Sequence, residues 1–99
     1  MKSEDRDMRM KTLIIHVHGR VQGVGYRYFT IHKAEDLGIT GTVKNEPDGH
    51  VSILAQGDED KLDRFIQSLY KGPTLAYVTK ITTEEYSSDT KYKDFKVVF

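Results

Sequence analysis

The chain has 99 residues, which is enough for one small domain. Its 15 Lys and Arg residues balance 15 Asp and Glu residues, so charge alone gives no reason to expect a nucleic acid or a membrane surface as partner. The absence of cysteine excludes a disulfide scaffold, a thiolate nucleophile and a cysteine-bound metal.

The first ten residues mix both charges and contain no sustained apolar stretch. We therefore expect residues 1–10 to form a mobile charged tail, followed by one domain over residues 11–99. No apolar run approaches the ~20 residues that span a bilayer, and the start lacks the apolar region of a signal peptide. A cytoplasmic protein is expected.

The next segments predict a strand, a loop and a helix. Alternation over residues 12–18 predicts a strand whose core-facing residues are Leu13, Ile15 and Val17. Three glycines within residues 19–25 predict a loop. The following helix has a buried stripe at spacings of four, four and three, and a glycine stops it: Tyr26, Thr30, Ala34 and Leu37, then Gly38.

The second half of the chain predicts a hairpin, a helix and two more strands. Strands over 39–45 and 50–56 are joined by a turn at 47–49, which makes them antiparallel. A helix opens at the acidic residues 58–60 and buries the stripe Leu62, Phe65, Ile66 and Leu69. Strands over 77–86 and 94–99 follow. This order predicts an α+β fold, a two-layer ferredoxin-like βαββαβ sandwich with two helices on one face of a mostly antiparallel sheet and a short extra C-terminal strand.

The glycine-rich loop leads directly into the first helix, which is typical of a phosphate site. Glycine lets the loop curl so that its N–H groups converge with those of the helix start, and the helix dipole adds positive potential. Arg27, just inside the helix, could close such a site with paired hydrogen bonds. A plain strand-to-helix turn fits the same glycines about equally well. Neither a Walker A motif nor a dinucleotide-binding fingerprint is present.

Several separated motifs resemble the acylphosphatase family. They are GRVQGVGYR at residues 19–27, GTVKN at 41–45, Asp48-Gly49, and GDEDKLDRF at 57–65. The Gly72-Pro73 pair and Ala76-x-Val78 continue the resemblance, which covers nearly the whole chain beyond the tail. It implies the same βαββαβ fold and an enzyme that hydrolyses the carboxyl–phosphate anhydride of an acyl phosphate, a small-molecule substrate.

The resemblance also implies roles for individual residues. Arg27 matches the family's phosphate-binding arginine, and Asn45 matches the asparagine that positions the attacking water. The backbone of the loop would bind the phosphate oxygens through Arg20, Val21, Gln22, Gly23, Val24, Gly25 and Tyr26. No cofactor and no metal are expected, because an acyl phosphate already carries a good leaving group.

Asn45 suits the proposed role because its amide donates and accepts hydrogen bonds without carrying a charge that would repel phosphate. An ordinary strand-end asparagine is the alternative. Since an amide is not a practical base, we expect a substrate phosphate oxygen to take the proton of the water. The neighbouring Glu46 is expected to face solvent.

Four histidines and an acidic run could suggest metal binding. His16 and His18 lie two residues apart on one strand, but no third ligand is evident at a fitting spacing. We expect both to face solvent, and His32 and His50 to lie at surface or turn positions. The acidic run at 58–60 is interpreted as a helix start. These patterns favour structural roles.

Two other function classes fit the predicted fold. One is a non-catalytic module that binds phosphate or carbamoyl phosphate, since acylphosphatase-like domains also occur within larger carbamoyltransferases. The other is an RNA-recognition domain, but its third strand would carry aromatic and basic residues, and here it reads HVSILAQ. We therefore expect no nucleic-acid partner and no membrane partner. The lack of an obvious exposed apolar stripe favours a monomer.

Overall fold

A five-stranded sheet covered on one face by two helices forms the domain. The computed structural model describes residues 10–87 and 89–99. In chain order the elements are β1 (Met10–Arg20), α1 (Tyr26–Leu37), β2 (Thr40–Asn45), β3 (Val51–Asp58), α2 (Glu59–Lys71), β4 (Tyr77–Glu85) and β5 (Phe95–Val97). The predicted α+β class and the βαββαβ order with an extra strand are confirmed. The expected tail lies outside the described residues except for Met10, which begins β1.

The spatial order of the strands is β4-β1-β3-β2-β5. β1 lies between β4 and β3 and is antiparallel to both, and β2 is antiparallel to β3. β5 runs parallel to β2 at the sheet edge, where Val97 pairs with Val43. This edge pairing brings the end of the chain close to the end of β2, where Asn45 lies.

The core lies between the sheet and the helices. The alternation predicted for β1 is confirmed, because Ile15 and Val17 are fully buried and Leu13 packs against the core. The predicted stripe of α2 is confirmed for Leu62, Phe65 and Leu69, which are buried, and Ile66 is partly buried against the core. Phe65 meets Phe95 of β5 edge to face, with ring centroids 6.0 Å apart.

Tyr26 links the start of α1 to the other helix. Its side chain is 1% exposed, and its hydroxyl donates to the backbone oxygen of Leu69 at 2.6 Å. Burial raises the pKa of the Tyr26 phenol well above its ordinary value, so the neutral hydroxyl remains available as a donor. The predicted placement of Tyr26 in the core is confirmed, and it fixes the position of the helix start.

The loop after β1 is shorter than the sequence predicted. Its first two residues, Gly19 and Arg20, still belong to β1 and pair with Val78 and Tyr77 of β4 after a register shift. Gly19 has φ 126°, and a Cβ there would lie 2.1 Å from the backbone oxygen of Tyr77. Glycine therefore serves a β-bulge rather than a loop at this position. The connecting loop is confined to residues 21–25.

The face of the sheet opposite the two helices is largely polar. Gln56, for example, donates to the hydroxyl of Thr12 at 3.0 Å across this face. On the other side of β1, the adjacent Lys11 forms ion pairs with Glu59 at 3.3 Å and with Glu85 at 3.0 Å. Within the described residues, neither helix has the length and apolar character needed to cross a membrane.

Candidate active site

A cavity of about 330 Å³ opens where the loop after β1 meets the start of α1. Four segments line it: the loop, the first half of α1, the end of β2 and the segment that includes the end of β5. The lining residues are Val21, Gly23, Gly25, Tyr26, Arg27, Tyr28, Ile31, Asn45, Val97 and Phe99. Arg27 and Asn45, the two residues expected to carry the chemistry, therefore border one cavity.

The start of α1 is open to an anion. Its N-cap residue, Gly25, has φ 80° and supplies no side-chain hydrogen bond, and the first turn contains no acidic residue. The N–H groups of such a first turn have no partner within the helix. A Cβ placed on Gly25 would find no atom within 4 Å, so the space over the N-cap is empty of protein. N–H groups without a partner in the helix and the positive end of the helix dipole make this a suitable phosphate site.

Gln22 holds the loop against the β2–β3 hairpin. Its side-chain nitrogen donates to the backbone oxygens of Glu46 and His50, both at 2.9 Å. Glu46 directly follows Asn45 in the sequence, and His50 lies opposite Glu46 at the other end of the hairpin turn. Gln22 therefore couples the position of the loop to that of Asn45.

The Arg27 guanidinium lies over an aromatic ring. Its central carbon is 5.5 Å from the ring centroid of Phe99, within the range of a cation–π contact. Arg27 is partly exposed and lines the cavity. The ring supports the guanidinium without occupying its N–H groups, which leaves them available to an anion.

Asn45 contributes a polar atom without a partner. Its Oδ1 atom is buried and accepts no hydrogen bond from any of the residues that the structure describes. An unmet buried acceptor is costly, about 1–3 kcal/mol, and it requires an explanation. A water or substrate donor bound in the cavity would satisfy it. The neighbouring Glu46 side chain instead accepts from the Ser52 hydroxyl at 2.6 Å.

The structure brings only part of the predicted loop to the cavity. Val21, Gly23, Gly25 and Tyr26 line it together with Arg27. The other three predicted loop residues, Arg20, Gln22 and Val24, are not in the lining: the first is paired in the sheet, the second binds the hairpin, and the third packs against the core.

Sequence reasoning missed one side of the cavity. This side consists of Tyr28, Ile31, Val97 and Phe99. Ile31 had a detectable signal, because it follows Arg27 by four residues and so shares its helix face. Phe99 had none, because its position depends on the parallel pairing of β5 with β2.

Three of the four histidines, His16, His18 and His50, form a separate cluster on the open face of the sheet, whereas His32 is exposed on α1. His16 Nδ1 and His50 Nε2 are 3.0 Å apart, and the rings of His18 and His50 stack with centroids 5.0 Å apart. Hydrogen bonds from the His50 backbone N–H and ring lower the pKa of the Asp48 carboxyl. No group of three or more His, Asp or Glu side chains within the described part of the chain has the geometry to hold a metal ion.

Comparisons with known proteins show the family of the chain. The family model for acylphosphatase matches residues 13–97. An acylphosphatase of Lactobacillus gasseri is 48% identical over 91 residues, which cover 91% of this chain and 100% of that protein. The crystal structure of acylphosphatase from Bacillus subtilis has a TM-score of 0.86 and 39% identity, covering 91% of this chain and 99% of that one. The structure of T. kodakarensis HypF has a TM-score of 0.81 and 34% identity, but the match covers 90% of this chain and 12% of that one. The chain belongs to the acylphosphatase family.

Proposed function

We propose that the chain hydrolyses the carboxyl–phosphate bond of small acyl phosphates in the cavity that Arg27 and Asn45 border. The observation that carries this proposal is that three features surround one cavity. They are a helix start without a side-chain cap, a guanidinium, and a buried amide oxygen that has no hydrogen-bond partner among the described residues. Membership of the acylphosphatase family supports the same reaction class.

Phosphate binding falls to the loop and Arg27. The partnerless N–H groups at the start of α1 donate to the phosphoryl oxygens, and Arg27 adds a charge-assisted pair of hydrogen bonds. These donors are held in place before the substrate arrives, so they stabilise the charge that develops on the phosphoryl group at little reorganisation cost.

Asn45 positions the attacking water. Its Oδ1 accepts a hydrogen bond from the water, which resolves the buried, partnerless state of that atom. Because the amide carries no charge, it does not repel the phosphate that the water must approach. Positioning of this kind lowers the barrier by replacing a random encounter with a fixed approach.

The reaction balances without a side-chain base. The water oxygen bonds to phosphorus as the bond from phosphorus to the bridging oxygen breaks, and the carboxylate leaves with that electron pair. The proton of the water passes to a phosphoryl oxygen, so the products are a carboxylate and inorganic phosphate. The carboxylate is a weak base and needs no general acid.

Replacing the guanidinium tests the proposal. We expect Arg27→Ala to lower kcat/KM for acetyl phosphate by roughly 10²–10³-fold, because a preorganised donor to the transition state is lost. Arg64→Ala, which removes an exposed arginine from α2, is the matched control and should retain full activity. The assay includes a chelator, since the proposed reaction uses no metal.

Two outcomes contradict the proposal. One is hydrolysis by Arg27→Ala at a rate close to that of the unmodified chain. The other is an unmodified chain that binds inorganic phosphate but hydrolyses no acyl phosphate. The second outcome would favour a phosphate- or carbamoyl-phosphate-binding module.

A further inference from the structure

The histidine cluster on the sheet face opposite the helices has no part in the proposed reaction steps. It consists of His16 and His18 on β1 and of His50, the residue before β3. We propose that the hydrogen bond between His16 and His50 positions the β2–β3 turn for the reaction, and that protonation of both rings breaks this bond and lowers activity. This inference rests on the proposed function.

The hydrogens on the two rings follow from their neighbours. Asp48 Oδ1 lies 2.6 Å from His50 Nδ1, and a carboxylate only accepts, so this nitrogen carries a hydrogen. His50 Nε2 faces His16 Nδ1 at 3.0 Å, and one of these nitrogens must donate to the other. The acceptor must be free of hydrogen. The bond therefore exists while at least one ring is neutral, and it is lost when two N–H groups face each other.

The surroundings suit a pair of rings that carries one positive charge. His16 Nε2 lies 3.7 Å from Glu84 Oε2, so the pair has a carboxylate at each end. With one charge, His50 donates both to Asp48 and to His16, and His16 directs its remaining N–H toward Glu84. Histidine changes its charge between about pH 5 and 8, so both rings become protonated on the acid side of this range.

Other charged groups face the pair from the neighbouring elements of the sheet. They are His18 on β1, Lys44 on β2, Glu46 at the start of the turn, and Lys80 on β4. Among these residue types, histidine is the one that changes its charge between about pH 5 and 8. The ring of His18 stacks on that of His50, with centroids 5.0 Å apart. A test must therefore separate His18 from the pair.

His50 connects the pair to the candidate site. Its backbone oxygen accepts from Gln22 Nε2 at 2.9 Å and from the backbone N–H of Glu46 at 2.8 Å. The residue that follows His50 pairs with Asn45 across the hairpin. The His50 side chain is 16% exposed and is fixed to β1 by its ring contacts. Release of this ring from β1 therefore loosens the residue that holds the loop, through Gln22, and lies beside Asn45.

Replacing one ring of the pair tests the proposal. His16→Asn places an amide, which carries no charge, where His16 Nδ1 lies, and so keeps a hydrogen bond to His50. We expect kcat/KM for acetyl phosphate to equal that of the unmodified chain at about pH 7.5 and to exceed it by roughly three- to tenfold at about pH 5, as the retention of one hydrogen bond implies. His16→Val removes the bond and should show the lower value at both pH values.

Two control variants assign the effect to the pair. His32→Phe removes the histidine outside the cluster but keeps a ring against Tyr28 on α1, and it should reproduce the pH dependence of the unmodified chain. His18→Asn leaves the bond between His16 and His50 in place, so the loss at acid pH should persist. Protonation of acetyl phosphate itself affects every variant equally and cancels in these comparisons.

NMR spectra of the labelled protein give a measurement that does not depend on hydrolysis. The side-chain amide of Gln22 reports its hydrogen bonds to the backbone oxygens of Glu46 and His50. Its signals should move over the same pH interval as the ring signals of His50. In His16→Asn this movement should be much smaller, because the ring of His50 stays attached to β1.

The outcomes distinguish failure of this inference from failure of the proposed function. If His16→Asn loses activity at acid pH as the unmodified chain does, the pair does not position the turn, although hydrolysis stands. Gln22 signals that stay fixed while the His50 ring is protonated would contradict the inference equally. If the unmodified chain hydrolyses no acyl phosphate, the proposed function is wrong and the inference falls with it.

Discussion

The two helices of this domain begin in opposite ways. α1 begins at Gly25, which supplies no side-chain cap, and its first turn has no acidic residue. α2 begins at Asp58, whose carboxylate accepts from the backbone N–H of Asp60 at 2.9 Å, and its first turn contains Glu59 and Asp60. Both starts present the same backbone N–H groups and the same dipole. The two starts differ in their side chains. At α2 a carboxylate accepts a hydrogen bond from one of these N–H groups, and at α1 the N-cap residue supplies no such side chain.

The comparison accounts for the proposed anion site in a chain without net charge. At α2 the chain supplies its own carboxylates, which stabilise the helix and exclude other anions. At α1 it supplies glycine and Arg27, so the donors remain for a ligand. Net charge is zero over the whole sequence, yet the start of α1 is a local centre of positive potential.

The largest expected effect comes from giving α1 the kind of cap that α2 has. Gly25→Asp places a carboxylate where the phosphate should bind, and the space there is empty of protein. Two like charges about 4 Å apart repel by about 4 kcal/mol at an effective dielectric of 20, so phosphate affinity should fall by up to roughly 10³-fold. Inhibition of hydrolysis by inorganic phosphate measures this affinity.

Gly25→Asn is the matched control for that change. Asparagine tolerates the left-handed conformation as aspartate does, but it carries no charge. It should therefore retain most of the phosphate affinity. Equal losses in the two variants would mean that shape at this position, rather than charge, governs binding.

The next effect concerns Asn45, which we propose positions the attacking water. Asn45→Ala removes the buried acceptor and should lower kcat by roughly 10²-fold, with phosphate inhibition nearly unchanged. Kinetics with acetyl phosphate measure both quantities. Near-normal turnover with intact phosphate binding would remove Asn45 from the mechanism.

A smaller effect concerns the connection between the loop and the hairpin. Gln22→Leu removes two hydrogen bonds at 2.9 Å, each worth about 0.5–1.5 kcal/mol, so kcat/KM should fall by roughly tenfold. Gln67→Leu on the exposed surface of α2 is the control. If both variants keep full activity, the loop is positioned without the Gln22 contacts.

The smallest effect is expected at the start of α2, where a side chain caps the helix. Asp58→Ala removes the cap of α2 and should lower the free energy of unfolding by about 1 kcal/mol, measured in urea. Hydrolysis should remain unchanged in the folded protein. A loss of activity comparable to that at α1 would show that the two helix starts are not independent.

Much of the fold was predictable because it depends on local patterns. The period-two alternation of β1 and the spacing of Leu62, Phe65 and Leu69 set the buried faces that the structure shows. The extension of β1 through Gly19 was not predictable, since a bulge depends on the close approach of β4. A glycine that a β-bulge requires looks the same in the sequence as a glycine in a loop. The sequence alone therefore does not distinguish the two structures.

The candidate site was predictable in part for the same reason. Arg27 and the loop are neighbours in sequence, and the resemblance to acylphosphatases added Asn45. The apolar side of the cavity depends on long-range placement, because Phe99 reaches Arg27 through the pairing of β5 with β2. The histidine cluster is similar, as His50 joins His16 only after β3 pairs with β1.

A titration of the isotope-labelled protein with inorganic phosphate, followed by the NMR signals of the backbone amides, would locate the anion site. The contrast between the two helix starts predicts large saturable shifts at residues 23–28 and at the Arg27 side chain. It predicts no comparable shifts at residues 59–61. Shifts of similar size at the start of α2, or unchanged signals at residues 23–28, would contradict the assignment of the anion site to the start of α1.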